Sequence, residues 1–198
     1  VQEGRVDGVD DLRGLVATYL RNQMGTADLV VLRAAHAAAT EGDVDGVCDA
    51  DRRLAAVTLA AEFRESAEQS GSRLLSLQRD LDPEPVVERY AERVGDGDAP
   101  GHHAAVLGAV AGSAGIDERT ACLVCCHGFV TGVLGAAQRI ISLGHTDTQR
   151  ALDDLQPTIR GAVDDSASRT LDGMTSFTPL VDMLSAAHER ADRRLFLS

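Results

Sequence analysis

Apolar residues recur along this chain at spacings of three and four, the period of a helix, and no convincing strand-length alternation interrupts them. In "LRGLVATYLRNQM", Leu12, Leu15, Val16, Tyr19 and Leu20 fall on one face. Asp10 or Asp11 is placed to cap that helix and Gly25 to end it. "TADLVVLRAAHAAATEG" predicts a second helix ended by Gly42, and Asp43 caps a third through "VDGVCDADRRLAAVTL". "AAEFRESAEQSGSRLLSLQRDL" continues with Phe63, Ala67, Leu74, Leu75 and Leu77 as its apolar positions. Gly71 within it marks either a kink or a close helix contact. Pro83 and Pro85 break the chain before a short helix, "VVERYAERV", and "GDGDAPG" at 95–101 is the clearest loop. That loop lacks the ligand pattern and terminal Glu of a calcium site.

The centre of the chain is "HHAAVLGAVAGSAG" followed by "DERTACLVCCHGFVTGVLGAAQRIISLG", the latter capped by Asp117. From Ala121 to Ala137 the only ionisable side chains besides thiols is the single imidazole of His127. This run is short and glycine-rich for a bilayer span, so a buried central helix is expected. Gly128, Gly132 and Gly135 each cost about 1 kcal/mol of helix propensity relative to Ala, which implies a packing role. Gly144 fits a left-handed position after this helix, and Thr146 with Gln149 reads as a capping box opening the next. Pro157 then marks a kink or a break. "TSFTPLVDMLSAAHERADRRLF" closes the pattern, with Leu180, Met183, Leu184 and Ala187 as a stripe and Arg190, Arg193 and Arg194 near its end. The expected fold is all-α: one domain over residues 1–198, about eight to ten helices around the glycine-rich central one.

Composition supports helices over sheets, since aromatics are few and Ala, Leu, Val and Gly dominate. Charge adds a constraint on partners. All 19 basic residues are Arg, the acids number 31, and the net charge is −12. An Asp-rich, Lys-free surface resembles that of proteins from salt-loving organisms, and GC-rich codon usage favours the same residues. Either cause disfavours a nucleic-acid binder, which needs clustered positive charge. Cys122, Cys125 and Cys126 crowd together, with Cys48 far off, which is a poor disulfide layout. With no signal peptide visible, a cytoplasmic setting is expected. The chain opens on Val1 rather than Met, so its own N-terminus is expected upstream.

Three candidate sites emerge. "CLVCCH" places Cys122, Cys125 and Cys126 on one helical face, where thiols could hold zinc or nickel. Free cysteines are also normal small core residues, and core packing is the expected role here. His102 and His103 sit at a helix start, where a solvated or capping role competes with metal binding. No phosphate-binding loop, zinc-protease motif or nucleophile elbow is present, and no catalytic residue is assigned. The third candidate is polar. Gln138 and Arg139 near one helix end and Gln149 and Arg150 at the next start come together around one turn, as a partner-docking surface.

That turn carries a family resemblance. "AAQRIISLGHTDTQRAL" resembles the A-x-R-L-x-x-L-G-Q-T-x-x-Q segment of the urease accessory proteins of the UreF family. "PGHHAAVLGAVAGSAGID" is similar to the family's H-x-x-V-x-G helix, and "HERADRRLFLS" to its terminal H-E-x-x-x-x-R-L-F-x-S. The first helices also fall into line, and the resemblance covers essentially the whole chain. His145 and Thr148 depart from the family's usual Gln and Gly, and the family's glycine-rich N-terminal segment is absent. The resemblance implies an all-α protein without catalysis of its own and without a tightly bound cofactor. It implies a homodimer that joins UreD (UreH) and the GTPase UreG and helps load nickel into apo-urease. Arg139, Gln149 and Arg194 match the family pattern and are carried over as partner-binding residues. A metal carrier using Cys122, Cys125 and Cys126 is the alternative.

Overall fold

The computed structural model describes residues 8–81, 83–140 and 143–177. The segment carrying Arg190, Arg193 and Arg194 lies outside these residues. Every regular element among them is helical, as the spacing predicts. α1 (Val9–Tyr19), a π-helical segment (Leu20–Asp28) and α2 (Leu29–Thr40) run on as one rod. α3 (Val44–Val57), α4 (Ala61–Asp80), α5 (Pro85–Gly95), α6 (His103–Ser113), α7 (Glu118–Ile140) and α8 (His145–Ser166) follow. Counted as continuous rods, the described residues form seven, fewer than the eight to ten expected.

Gly25 accounts for one of the missing boundaries. It does not end a helix; a Cβ there would lie 3.3 Å from the Ala162 side chain of α8. The backbone widens into π turns around this contact instead of stopping. Elsewhere the local signals hold. Gly42 takes a φ of 74° after α2, Asp43 Oδ1 accepts from the Gly46 amide at 3.0 Å, and Pro85 sits in the first turn of α5. The Asp117 carboxylate accepts from the Thr120 amide at 2.9 Å. Two caps differ. α1 starts at Val9 with Gly8 before it, so Asp10 and Asp11 lie inside its first turn. α8 runs unbroken through Pro157.

The enclosed helix is α6, not α7. Its Ala105, Val106, Ala109 and Ala111 are buried, and it lies directly against α2. A Cβ on Gly108 would sit 2.3 Å from the Leu32 carbonyl oxygen, and one on Gly112 would sit 2.3 Å from that of His36. One turn of each helix is thus in backbone contact, at a distance only glycine permits. Gly71 acts in the same way: the site of its Cβ lies 2.0 Å from the Gly101 carbonyl oxygen, so it is a close contact and α4 continues through it. Of the apolar positions of that helix, Leu75 is buried and Leu77 is exposed.

A buried carboxylate ties this region together. Asp51 Oδ2 accepts from the Tyr90 hydroxyl and the Gly101 amide, both at 2.7 Å, and Oδ1 accepts from the His102 amide at 3.0 Å. Burial pushes the Asp51 carboxyl up, and these three donors hold it back. Asp51 joins α3, α5 and the loop before α6 through partners that are distant in sequence.

α7 lies toward the outside, so a buried glycine-rich central helix is not what forms. Cys122, Cys126, Val130 and Leu134 face inward, whereas Val124, His127, Thr131 and the glycines Gly128 and Gly132 are exposed. A Cβ at Gly128, Gly132 or Gly135 would meet nothing within 4 Å. Among the described residues α7 alone is long and apolar enough to cross a membrane, and 39% of that window is buried in the fold. Arg33 of α2 pins α7 and α8 to the rod. It pairs with Glu118 and donates to Val163 O at 2.8 Å and to Ser166 Oγ at 3.0 Å.

Candidate partner-docking site

The turn between α7 and α8 divides the expected surface residues into two kinds. Gln138 is half-buried and works inward. Its Nε2 donates to Thr148 Oγ1 at 2.9 Å and lies 3.3 Å from His145 Nδ1. Thr148 Oγ1 in turn donates to the Gly144 carbonyl at 3.0 Å. Gln138 therefore clasps the two helices, and Thr148 fills a position where the clasp needs a hydroxyl. Arg139 is exposed and forms no hydrogen bond or ion pair with the described residues. Gln149 is likewise exposed, in the first turns of α8. Arg150 is also exposed and reaches Asp147 at 3.5 Å, a solvent-screened pair of little energetic weight. The structure bonds Gln138 to α8; it does not bond Arg139, Gln149 and Arg150 to one another. Arg194 lies outside the described residues.

The capping box does not form. α8 begins at His145, one residue before Thr146, and its N-cap Gly144 has an extended φ of −70° with no side-chain cap. Thr146 then lies inside the helix, where its hydroxyl cannot occupy the cap position. Gly144 is accordingly not left-handed either.

The cysteine face packs into the core. Cys122, Cys125 and Cys126 are buried, and burial pushes the Cys122 thiol up to about 11, Cys126 to about 12 and Cys125 well above its ordinary value. Such thiols stay protonated, which is a poor state for metal ligation. Among the described residues no three His, Cys, Asp or Glu side chains gather as a metal site. The metal-carrier alternative is not favoured by this arrangement.

His102 is not solvated. Only 3% of it is exposed, and neither ring nitrogen has a hydrogen-bond partner. Burial, with His103 nearby, drops its pKa to about 4, so the ring is neutral near pH 7. It lines a cavity of about 570 Å³ that sequence reasoning missed, together with Asp28, Phe129 and the exposed Gly128 and Gly132. Nothing local announces this cavity, because its walls come from the π segment, α4, α6 and α7.

Comparison with known proteins gives a consistent result. The model of the family described as UreF matches residues 6–156. The "Urease accessory protein UreF" of Trichodesmium erythraeum (strain IMS101) is 33% identical over 196 residues, covering 99% of this chain and 84% of that protein. The protein of that name from Yersinia enterocolitica (serotype O:8) is 31% identical, covering 99% and 86%. The one from Yersinia pseudotuberculosis (strain PB1/+) is 30% identical with the same coverage.

Proposed function

From the premise that this chain belongs to the UreF family, we propose that it is a non-enzymatic scaffold in urease maturation. It joins UreD (UreH) to the GTPase UreG and so brings nickel, as cargo, to apo-urease. It acts in the cytoplasm as a homodimer, with no nucleic acid or membrane as partner. The observation that carries the docking assignment is the exposure of Arg139 at the end of α7 and of Gln149 and Arg150 at the start of α8, on either side of a turn fixed from within by Gln138 and Thr148. A cation at a helix C-terminus is electrostatically at ease there, so its exposure costs little and its five donors are free for a partner carboxylate. Arg194 is assigned to the same function on sequence grounds.

The test is co-purification at high salt with UreD and UreG from one organism, with sizes read by light scattering. A discrete complex is expected with the wild type. Arg139→Ala and Gln149→Ala are each expected to weaken it by about tenfold, since Arg anchors dominate many interfaces. Gln138→Ala should instead lower thermal stability, because it removes an internal clasp. Unchanged assembly in both surface variants would refute the docking assignment.

A further inference from the structure

The cavity beside α7 has unmet chemistry. Asp28 lines it and forms no ion pair among the described residues; its Oδ2 accepts from Gln23 Nε2 at 3.0 Å, and its carboxylate also accepts from its own backbone amide. Burial raises the Asp28 carboxyl to about 6, which is the cost of an acid without a counter-ion. His102 is nine-tenths buried, lines the same cavity and has both ring nitrogens unpartnered. A buried polar group in this state needs an explanation. The wall is aromatic: Tyr19 stacks on Phe129 with ring centroids 4.8 Å apart. The mouth lies beside Gly128 and Gly132, exposed glycines whose missing side chains leave open space.

These features fit one occupant. A guanidinium would neutralise Asp28 and stack against an aromatic face, beside the neutral His102 ring that lines the same cavity. The glycines would let the backbone that carries it come close. Lys is absent from this chain and its net charge is −12, so attraction favours a basic partner over a second copy. The last described residues bond to the π segment at Asn22 and Thr26, and Ser176 donates to the same Gln23 side chain that holds Asp28, so the test has to separate a partner's arginine from one of the chain's own. We propose that this cavity is a socket for an arginine side chain presented by a basic protein partner, with Asp28 as counter-ion, Tyr19 and Phe129 as the stacking wall, and the His102 ring as a lining group that reports on occupancy. The site is separate from the α7–α8 turn, and the identification of a partner rests on the scaffold reading above.

Two measurements test it on the full chain. The first does not depend on the scaffold reading: NMR titration with arginine amide, watching the His102 ring signals. Saturable shifts at millimolar amide are expected. Citrulline amide, the neutral isostere, should give none, and Asp28→Asn should weaken the arginine response about tenfold. No arginine response, or an equal citrulline response, overturns the socket. If binding appears only after Arg190, Arg193 and Arg194 are changed to Gln, the chain fills its own socket and the partner proposal fails. The second measurement is co-purification with UreD and UreG. Gly132→Leu is expected to fold normally, because its Cβ meets open space, and to lose about tenfold in complex formation. Gly161→Leu, an equally open glycine on α8, should leave the complex intact. If Gly132→Leu instead abolishes a homodimer and leaves hetero-assembly unchanged, the occupant is a second copy and the proposal is wrong. If the wild type binds neither protein, the scaffold reading falls while the titration still decides the socket's chemistry.

Discussion

α6 and α7 carry the same glycine spacing and put it to opposite uses. Gly108 and Gly112 in α6 lie against the carbonyls of Leu32 and His36, with no room for a methyl group. Gly128 and Gly132 in α7 repeat the four-residue interval and face open space. In the first pair glycine holds the fold together. In the second it is a local cost to helix stability that nothing inside the described fold repays. A glycine pattern in sequence therefore reports that something must come close, and not whether that something belongs to the same chain.

The comparison breaks most visibly at α6. Replacing Gly108 and Gly112 together by Ala drives two methyl groups into backbone carbonyls, which cannot swing aside as flexible side-chain ends can. The expected loss is about 4–6 kcal/mol, enough to unfold a marginal domain. Urea denaturation followed by circular dichroism at fixed high salt measures it. A loss under about 1 kcal/mol would show that α2 and α6 can slide apart freely, and the contrast with α7 would fail.

Much of α6's environment was hidden in the sequence for a definable reason. Signals that act over one to four residues were legible: Gly42 and Asp43, the cap at Asp117, Pro85, the loop at 95–101 and the polar turn around Arg139. Contacts that bridge distant segments had no local mark. Asp51 reaches Tyr90 across one intervening helix and Gly101 and His102 across two, and "DADRR" gives no hint of a buried acid. The π segment was misread because Gly25 looked like a stop, while its role is to admit Ala162. The α7 glycines read as an internal packing contact because propensity says that a cost exists and not where its return lies. Of the proposed docking residues, the exposure of Arg139 and Gln149 is readable from the sequence; the inward turn of Gln138 toward Thr148 is not. Asp28 and His102, 74 positions apart by their numbering, could be joined only by the fold.

The cavity sharpens the comparison through pH. The folded pKa of Asp28 is raised from 3.8 to about 6, so the folded state holds its proton longer and stability falls as pH rises across that window. The folded pKa of His102 is lowered from 6.5 to about 4, so its contribution is complete above 6.5 and is lost as pH falls toward 4. The two slopes oppose each other over nearly the same range. Relative to wild type, Asp28→Asn should gain about 2 kcal/mol between pH 4 and pH 6 and then stay level. His102→Gln should gain by a similar amount in the other direction, as pH falls from 6.5 to 4. Denaturation of the three proteins at matched pH values checks this. Asp51 and His103 carry shifts of their own, and both remain in every variant, so they cancel in the differences. Parallel curves for all three proteins would mean that the cavity is hydrated well enough to leave both groups at ordinary values.

The smallest effect is the most discriminating for α7. Gly128→Ala and Gly132→Ala place a methyl group where nothing lies within 4 Å. Each should raise stability by about 0.5–1 kcal/mol, because Ala loses less conformational entropy in a helix than Gly and meets no obstacle here. The sign is opposite to that at Gly108, for the same substitution in the same kind of element. Thermal unfolding at micromolar concentration and high salt measures it. If both variants are stabilised as isolated chains and weakened in assembly, the glycines serve a surface contact, and the helix propensity they give up is recovered only when a partner is bound. If both are destabilised in the isolated chain, α7 already has a close neighbour in solution, and the open face seen here is covered by the protein itself.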